Sequence, residues 1–263
     1  MKLRYKVAAV LAIATLVAGT AAANSVLAKP EYMTASTDAA TIKPLAYVGD
    51  TLSGHTLRGI PDGMGAMRNA DGTITLLSVH EVPSYGAIGT LAKAADKGKP
   101  IQGTSITKLT LNKAGDRVLS ASDLVSSWSF YNYNTGQYQA SPVGAAPKTQ
   151  TLGMDNFISR FCSATLVQPG ALSFKDGSTT LGYDGAVFLS GEEDGDSGYG
   201  RGFAFDMDGN GINLPRMGLA SWENLMPNLK PGKNTVVMGN EDGSATDSQL
   251  FMYVGTKTST GTF

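Results

Sequence analysis

Three stretches of this chain align without gaps: LLSVHE (Leu76–Glu81), FLSGEE (Phe188–Glu193) and VMGNED (Val237–Asp242). Each is an apolar run that breaks at Ser or Gly and ends on an acidic residue. A short apolar run bounded by turn residues reads as a buried strand. The same strand type recurring with the same end chemistry reads as a repeated β-architecture. The expected fold is all-β, with a β-propeller as first choice, because equivalent strand ends of a propeller converge on one face around its axis. Three carboxylates far apart in sequence then gather in one place, an arrangement suited to a metal site.

Composition points the same way. Gly supplies 32 residues and charged residues only 16% of the chain, which favours turns and strands over long helices. SITKLTLNKAGDRVL (Ser105–Leu119) reads as strand, turn, strand, and GFAFDMDGNGINLPRMG (Gly202–Gly218) as a hairpin. NTVVMGNEDGS and QLFMYVGT near the end read as further strands. AIGTLAKAADKGKP (Ala87–Pro100) is the clearest helical candidate. YNYNTGQYQASPVGAAPKTQTLG (Tyr131–Gly153) reads as a long surface loop. A net charge of −1 without any Lys/Arg block gives no support to nucleic acid or an anionic membrane as partner.

Residues 1–23 have the pattern of a secretory signal peptide: Lys2, Arg4 and Lys6, an apolar core from Val7 to Val17, and small residues ending at Ala23. Ala28 offers a second cleavage position. Residues 24–50 then form an extended lead-in, and residues 51–263 one domain. The expected location is secreted or periplasmic, with no membrane association after signal removal. The mature chain of roughly 240 residues holds about five propeller blades at best. It stops just after a strand, so an incomplete ring is expected.

One cysteine, Cys162, excludes an internal disulfide. A lone Cys beside Phe161 fits a small buried hydrophobe. It also fits a soft metal ligand shielded from oxidation. Carboxylates at strand ends are hard donors suited to Ca²⁺, and equally ordinary turn formers. Candidates on this basis are His80 and Glu81, the Glu192–Glu193–Asp194 cluster, Glu223, and Glu241 with Asp242, and Cys162 for a transition metal. Arg160 lies two residues from Cys162, so strand alternation points both to one side. DMDGNG (Asp206–Gly211) imitates an EF-hand start, but its twelfth position is Met217, and a tight hairpin turn is the expectation. His55 and His80 are the only imidazoles, and no G-x-S-x-G turn accompanies them.

The blocks SGHTLRGIPDGMGAMRNADGTITLLSVHE, RFCSATLV, YDGAVFLSGEEDG, GLASWENLMPNL and VVMGNEDG…QLFMYVGTK resemble, in order, those of the PhoX-type alkaline phosphatases. The resemblance runs from about Thr51 to the C-terminus. It implies a six-bladed β-propeller with a cluster of iron and calcium, hydrolysing a small phosphorylated substrate as a monomer outside the cytoplasm. It also implies Glu81, Cys162 and Glu223 as iron-site ligands, and Glu192, Glu193 and Asp242 as calcium ligands. Under that reading Arg160, on the same side as Cys162, is a candidate phosphate contact, and an ordinary surface arginine is the equal alternative. The segment SATLVQPG after Cys162 departs from the family's Gly- and Trp-rich stretch. From another class, a non-catalytic calcium-binding propeller fits the same acidic strand ends, as does a lactonase-like or phytase-like propeller hydrolase.

Overall fold

The computed structural model describes residues 33–82, 103–147, 158–193, 200–229, 232–259, 261 and 263. The expected signal peptide, the helical candidate Ala87–Pro100, Asp194 and part of the expected lead-in lie outside the described residues. Among the described residues every regular element is a strand, apart from one 3-10 turn at Pro215–Met217. No helix there is long and apolar enough to cross a membrane. The chain is all-β, in several sheets of which none closes on itself.

After a two-residue-strand hairpin, β1 (Thr51–Leu52) with β2 (His55–Thr56), come β3 (Ile60–Arg68), β4 (Ile74–Glu81), β5 (Thr104–Leu111) and β6 (Val118–Asp123). These four form an antiparallel meander, the first sheet. β7 (Ser127–Asn132) and β8 (Gln137–Gln139) follow as a hairpin, then β9 (Arg160–Phe161) and β10 (Thr165–Val167). β11 (Phe174–Asp176) and β12 (Thr179–Leu181) make a small separate hairpin. β13 (Val187–Glu193), β14 (Gly202–Phe205) and β15 (Asn210–Asn213) complete the second sheet, ordered β10-β13-β14-β15-β7-β8 with β9 also on β13. Among the described strand pairs only β15–β7 is parallel. β16 (Trp222–Pro227), β17 (Asn234–Glu241) and β18 (Leu250–Thr256) form the third sheet, again an antiparallel meander.

The second sheet lies between the other two, and β13 shows why it must read as a continuous apolar run. Successive side chains of a strand point to opposite faces. Phe188 joins Phe161, Phe203 and Phe205 in a core shared with Leu77, Val79 and Ile106 of the first sheet. Val187 and Leu189 face the other way, into a core with Ala204, Trp222, Leu225 and Val237. With both faces covered, all seven residues of β13 are buried. A third cluster, Leu52, Leu57, Leu109, Leu111 and Ala121, seals the remaining side of the first sheet with help from Ala46.

β10, at the edge of the second sheet, packs against the leading strands β3 and β16 of the two meanders, and β13 packs against β16. Gly63 permits the approach of β3 to β10, and Gly191 that of β13 to β16. A Cβ on Gly63 of β3 would lie 2.0 Å from the Ala164 nitrogen, and one on Gly191 of β13 would lie 2.3 Å from the Trp222 Cβ.

The Asp206–Gly211 segment is the expected hairpin turn. Asp206 Oδ1 accepts from the backbone N–H groups of Asp208 and Asn210, and Oδ2 from the Asn210 side chain. The Tyr131–Gly153 stretch differs from the expected loop. Its first part closes the β7–β8 hairpin, because the Asn132 side chain accepts from the Asn134 and Thr135 nitrogens and Gly136 takes a positive φ of 70°. Tyr131 and Tyr138 then pack edge to face across it.

Candidate metal centre

Of the three acid-ended strands, β4 and β17 are the second strands of the two meanders, and β13 pairs with the edge strands β9 and β10 of the second sheet. Glu81 of β4 stands opposite Ile60 of β3. Glu193 of β13 stands opposite Arg160 of β9. Asp242, just past β17, donates its N–H to the Ser221 carbonyl at 2.8 Å. Two residues beyond each of these partners stand Asp62, Cys162 and Glu223. Every one of the three sits where strand pairing breaks. β3 shifts register between Pro61 and Met64, β16 shifts between Trp222 and Asn224, and Cys162 lies in the gap between β9 and β10. Such bulges re-aim side chains beside functional sites. Each sheet therefore delivers one acid from a strand end and one ligand-type side chain from a break in the neighbouring strand.

These six residues come together around the Cys162 thiol. Cys162 Sγ lies 3.3 Å from Asp62 Oδ2 and 3.3 Å from Glu81 Oε1. Ligand atoms of Asp62, Glu81 and Cys162 lie within 4.8 Å of one another, as do those of Cys162, Glu193 and Glu223. The Asp242 carboxyl stands close enough to the Glu193 side chain to influence its protonation. Arg160 joins from the rim: its Nη2 donates to Glu193 Oε1, and its Nη1 is 3.9 Å from Glu81 Oε2. Five carboxylates thus surround one thiol and one guanidinium.

The protonation states follow from this crowding. Burial, then the Glu193, Glu81 and Asp62 carboxylates, push the Cys162 thiol far above its ordinary range. In that setting it ionises only when a cation joins it. Burial, reinforced by the charges of Glu193, Asp242 and Asp62, raises the Glu223 carboxyl. Burial also works to raise Glu193, but hydrogen bonds from Cys162 and Arg160 and the Arg160 charge outweigh it and leave that carboxyl lowered. Glu193 is 4% exposed and its Oε2 has no hydrogen-bond partner. A buried unsatisfied carboxylate oxygen is costly unless something binds it.

Of the residues singled out from the sequence, Glu81, Arg160, Cys162, Glu193, Glu223 and Asp242 come together. Glu192 does not. It points to the opposite face of β13, fully buried, with Oε1 accepting from the Ser159 N–H and Arg201 Nη2, and Oε2 from the Arg201 N–H and Nε. Both oxygens are committed to holding β9 and Arg201, so the expectation of Glu192 as a calcium ligand is corrected to a structural ion pair. The alternation of a strand is the reason: adjacent glutamates cannot share one face. Asp62 is the site residue that the sequence reading lacked. Its Pro-Asp-Gly context reads as a turn, and only the internal repeat, with Asp62, Cys162 and Glu223 in matching positions, could have marked it.

Comparison of the chain with protein-family models, curated proteins and solved structures finds no match.

Proposed function

We propose that this chain is an exported, metal-dependent phosphomonoester hydrolase of the PhoX type, built on a β-propeller and using iron and calcium. The observation that carries the reading is the convergence of one thiol and five carboxylates from three equivalent strand pairs. Antiparallel strand sets with neighbouring first strands and a shared ligand-bearing end are what successive propeller blades provide. The outer face of the third sheet adds to this: Met226, Met238 and Met252 stand side by side on it, all exposed, an apolar face of the kind on which a further blade stacks.

The donor set fits both metals. The Cys162 thiolate is a soft ligand suited to iron, with Glu81 and Glu223 beside it. Glu193, Asp242 and Asp62 are hard oxygen donors suited to calcium. Cations also answer two electrostatic needs of the site, the surplus of carboxylates over the single Arg160 and the unsatisfied Glu193 Oε2. When bound, the ions supply Lewis acidity and neutralise charge on the phosphate oxygens during displacement. Arg160 is 47% exposed, so its guanidinium can offer N–H donors to a phosphate while Glu193 holds it in place. The ring of carboxylates repels a phosphate dianion unless cations offset it, which makes substrate binding conditional on metal.

A non-catalytic calcium-binding propeller is the second reading, favoured by the excess of oxygen donors over the one thiol. Metal content and turnover separate the two. Never-chelated protein is analysed for iron and calcium, and hydrolysis of p-nitrophenyl phosphate is measured for the wild type and Cys162→Ser. Iron with calcium, and activity lost together with iron in the variant, is the expected result. Calcium alone, with Cys162→Ser indistinguishable from wild type, moves the assignment to the second reading. Neither metal, and no turnover, overturns both.

A further inference from the structure

A cavity of about 350 Å³ opens between the second and third sheets. Val187, Leu189, Ala204 and Ile212 form one wall, and Val237 and Tyr253 the other. It is separate from the metal centre. Leu189 and Glu193 are four residues apart on β13, about 13 Å along the strand, and the cavity lies toward the start of that strand. Its volume is within the range of small-molecule pockets, about 300–1,000 Å³.

The lining is apolar with one exception in charge. Among the described residues Arg216, in the short 3-10 turn, is the only charged side chain around the cavity, and no Asp or Glu lines it. Arg216 is exposed and has no ion-pair partner among the described residues. An apolar slot with a single unpaired guanidinium at its edge is complementary to a molecule with an apolar body and one anionic end. We infer that this cavity binds an amphipathic carboxylate of medium chain length, with the chain between the two sheets and the carboxylate on Arg216. The inference is independent of the reaction proposed for the metal centre.

The test is calorimetric titration of the purified chain with hexanoate, octanoate and decanoate below their micelle concentrations, with octyltrimethylammonium as the cationic control. Each added methylene is expected to tighten binding about fourfold while room remains. Arg216→Gln, an exposed change, is expected to weaken decanoate by about tenfold, the worth of a hydrogen bond to a charged group. Thr235→Trp, which fills the cavity from β17, is expected to abolish binding with the fold intact by circular dichroism. Met238→Glu, on the opposite face of the same strand, is expected to leave it unchanged. No binding of decanoate to folded protein overturns the inference. So does equal affinity for the cationic control, retention of binding in Thr235→Trp, or loss of it in Met238→Glu, which would put the ligand on the outer face.

Discussion

Glu192 and Glu193 are consecutive residues of β13 that serve opposite faces: Glu192 is closed against Arg201, while Glu193 reaches the Cys162 thiol and Arg160. One strand thereby anchors the core with one carboxylate and presents the next to the candidate metal centre.

The two glutamates should separate by experiment. Glu192 and Arg201 are both buried, and the Arg201 guanidinium also lies 5.6 Å from the Phe130 ring and 5.7 Å from the Phe203 ring. Glu192→Gln leaves that guanidinium without its counter-charge and is expected to destabilise the fold by about 3–5 kcal/mol in denaturant unfolding. The double variant Glu192→Leu/Arg201→Met is expected to lose less than the sum of the single changes. Glu193→Gln should leave stability within about 1 kcal/mol and lower metal content instead. Equal losses of stability at the two positions would contradict the division.

Arg160 is half-exposed, so its ion pair with Glu193 is expected to contribute under about 1 kcal/mol to stability. Its role in the proposed reaction is larger. Arg160→Ala should lower kcat/KM for p-nitrophenyl phosphate by about 100-fold, or about 2.7 kcal/mol of transition-state stabilisation, at unchanged iron and calcium content. Arg160→Lys should rescue only part of this, because an ammonium lacks the planar fork. Wild-type kinetics in Arg160→Ala would remove the residue from the site.

His80 gives acid stability a definite sign. Burial, then the charges of His55 and Arg58, lower it from 6.5 to about 4, and neither ring nitrogen has a hydrogen-bond partner. The unfolded chain therefore takes up a proton near pH 6.5 that the folded chain refuses until about pH 4. Stability from this group is complete above 6.5 and is lost as pH falls toward 4, by roughly 3 kcal/mol. His80→Leu should flatten that part of the stability curve of the chelated protein, and be neutral or stabilising at pH 7. An identical acid limb in the variant would refute the assignment.

Calcium should stabilise the chelator-treated protein. At about 100 times its Kd the gain is about 2.7 kcal/mol, a rise in Tm of roughly 5–10 °C for a domain of this size. Glu223→Gln relieves repulsion from Glu193 and Asp242. It is expected to raise the Tm of the metal-free protein slightly while shrinking the metal-induced shift. A larger calcium shift in that variant would argue against Glu223 as part of the centre.

Gly191→Ala tests the contact that brings the second and third sheets together. The new methyl would lie 2.3 Å from Trp222 Cβ and 3.0 Å from its Cγ, overpacking that costs at least about 2 kcal/mol. Because Gly191 and Trp222 lie one or two residues from Glu193 and Glu223, metal affinity should fall along with stability. Thermal unfolding and metal titration of the same sample check both.

Much of the centre was legible before any coordinates. The gap-free alignment of Leu76–Glu81, Phe188–Glu193 and Val237–Asp242 already grouped Glu81, Glu193 and Asp242, because equal strands of a repeated fold end in equal places. Strand alternation placed Arg160 with Cys162. The same alternation, applied to β13, would have set Glu192 apart from Glu193. Asp62 stayed hidden because Asp-Gly is a turn signal in most chains, and the β7–β8 hairpin because Tyr, Asn, Gly and Pro together read as loop.

By itself, then, the sequence determined the local elements: short buried strands, their turns, and an acid at the end of each repeat, all consequences of period-two patterning and turn chemistry that act over a few residues. Only the tertiary structure decided which side chains meet. The register of β3 on β4, of β9 on β13 and of β16 on β17, together with the breaks at Asp62, Cys162 and Glu223, is set by packing between sheets at Gly63 and Gly191. Those contacts join residues about 30 to 100 positions apart, and no local preference of the backbone specifies them.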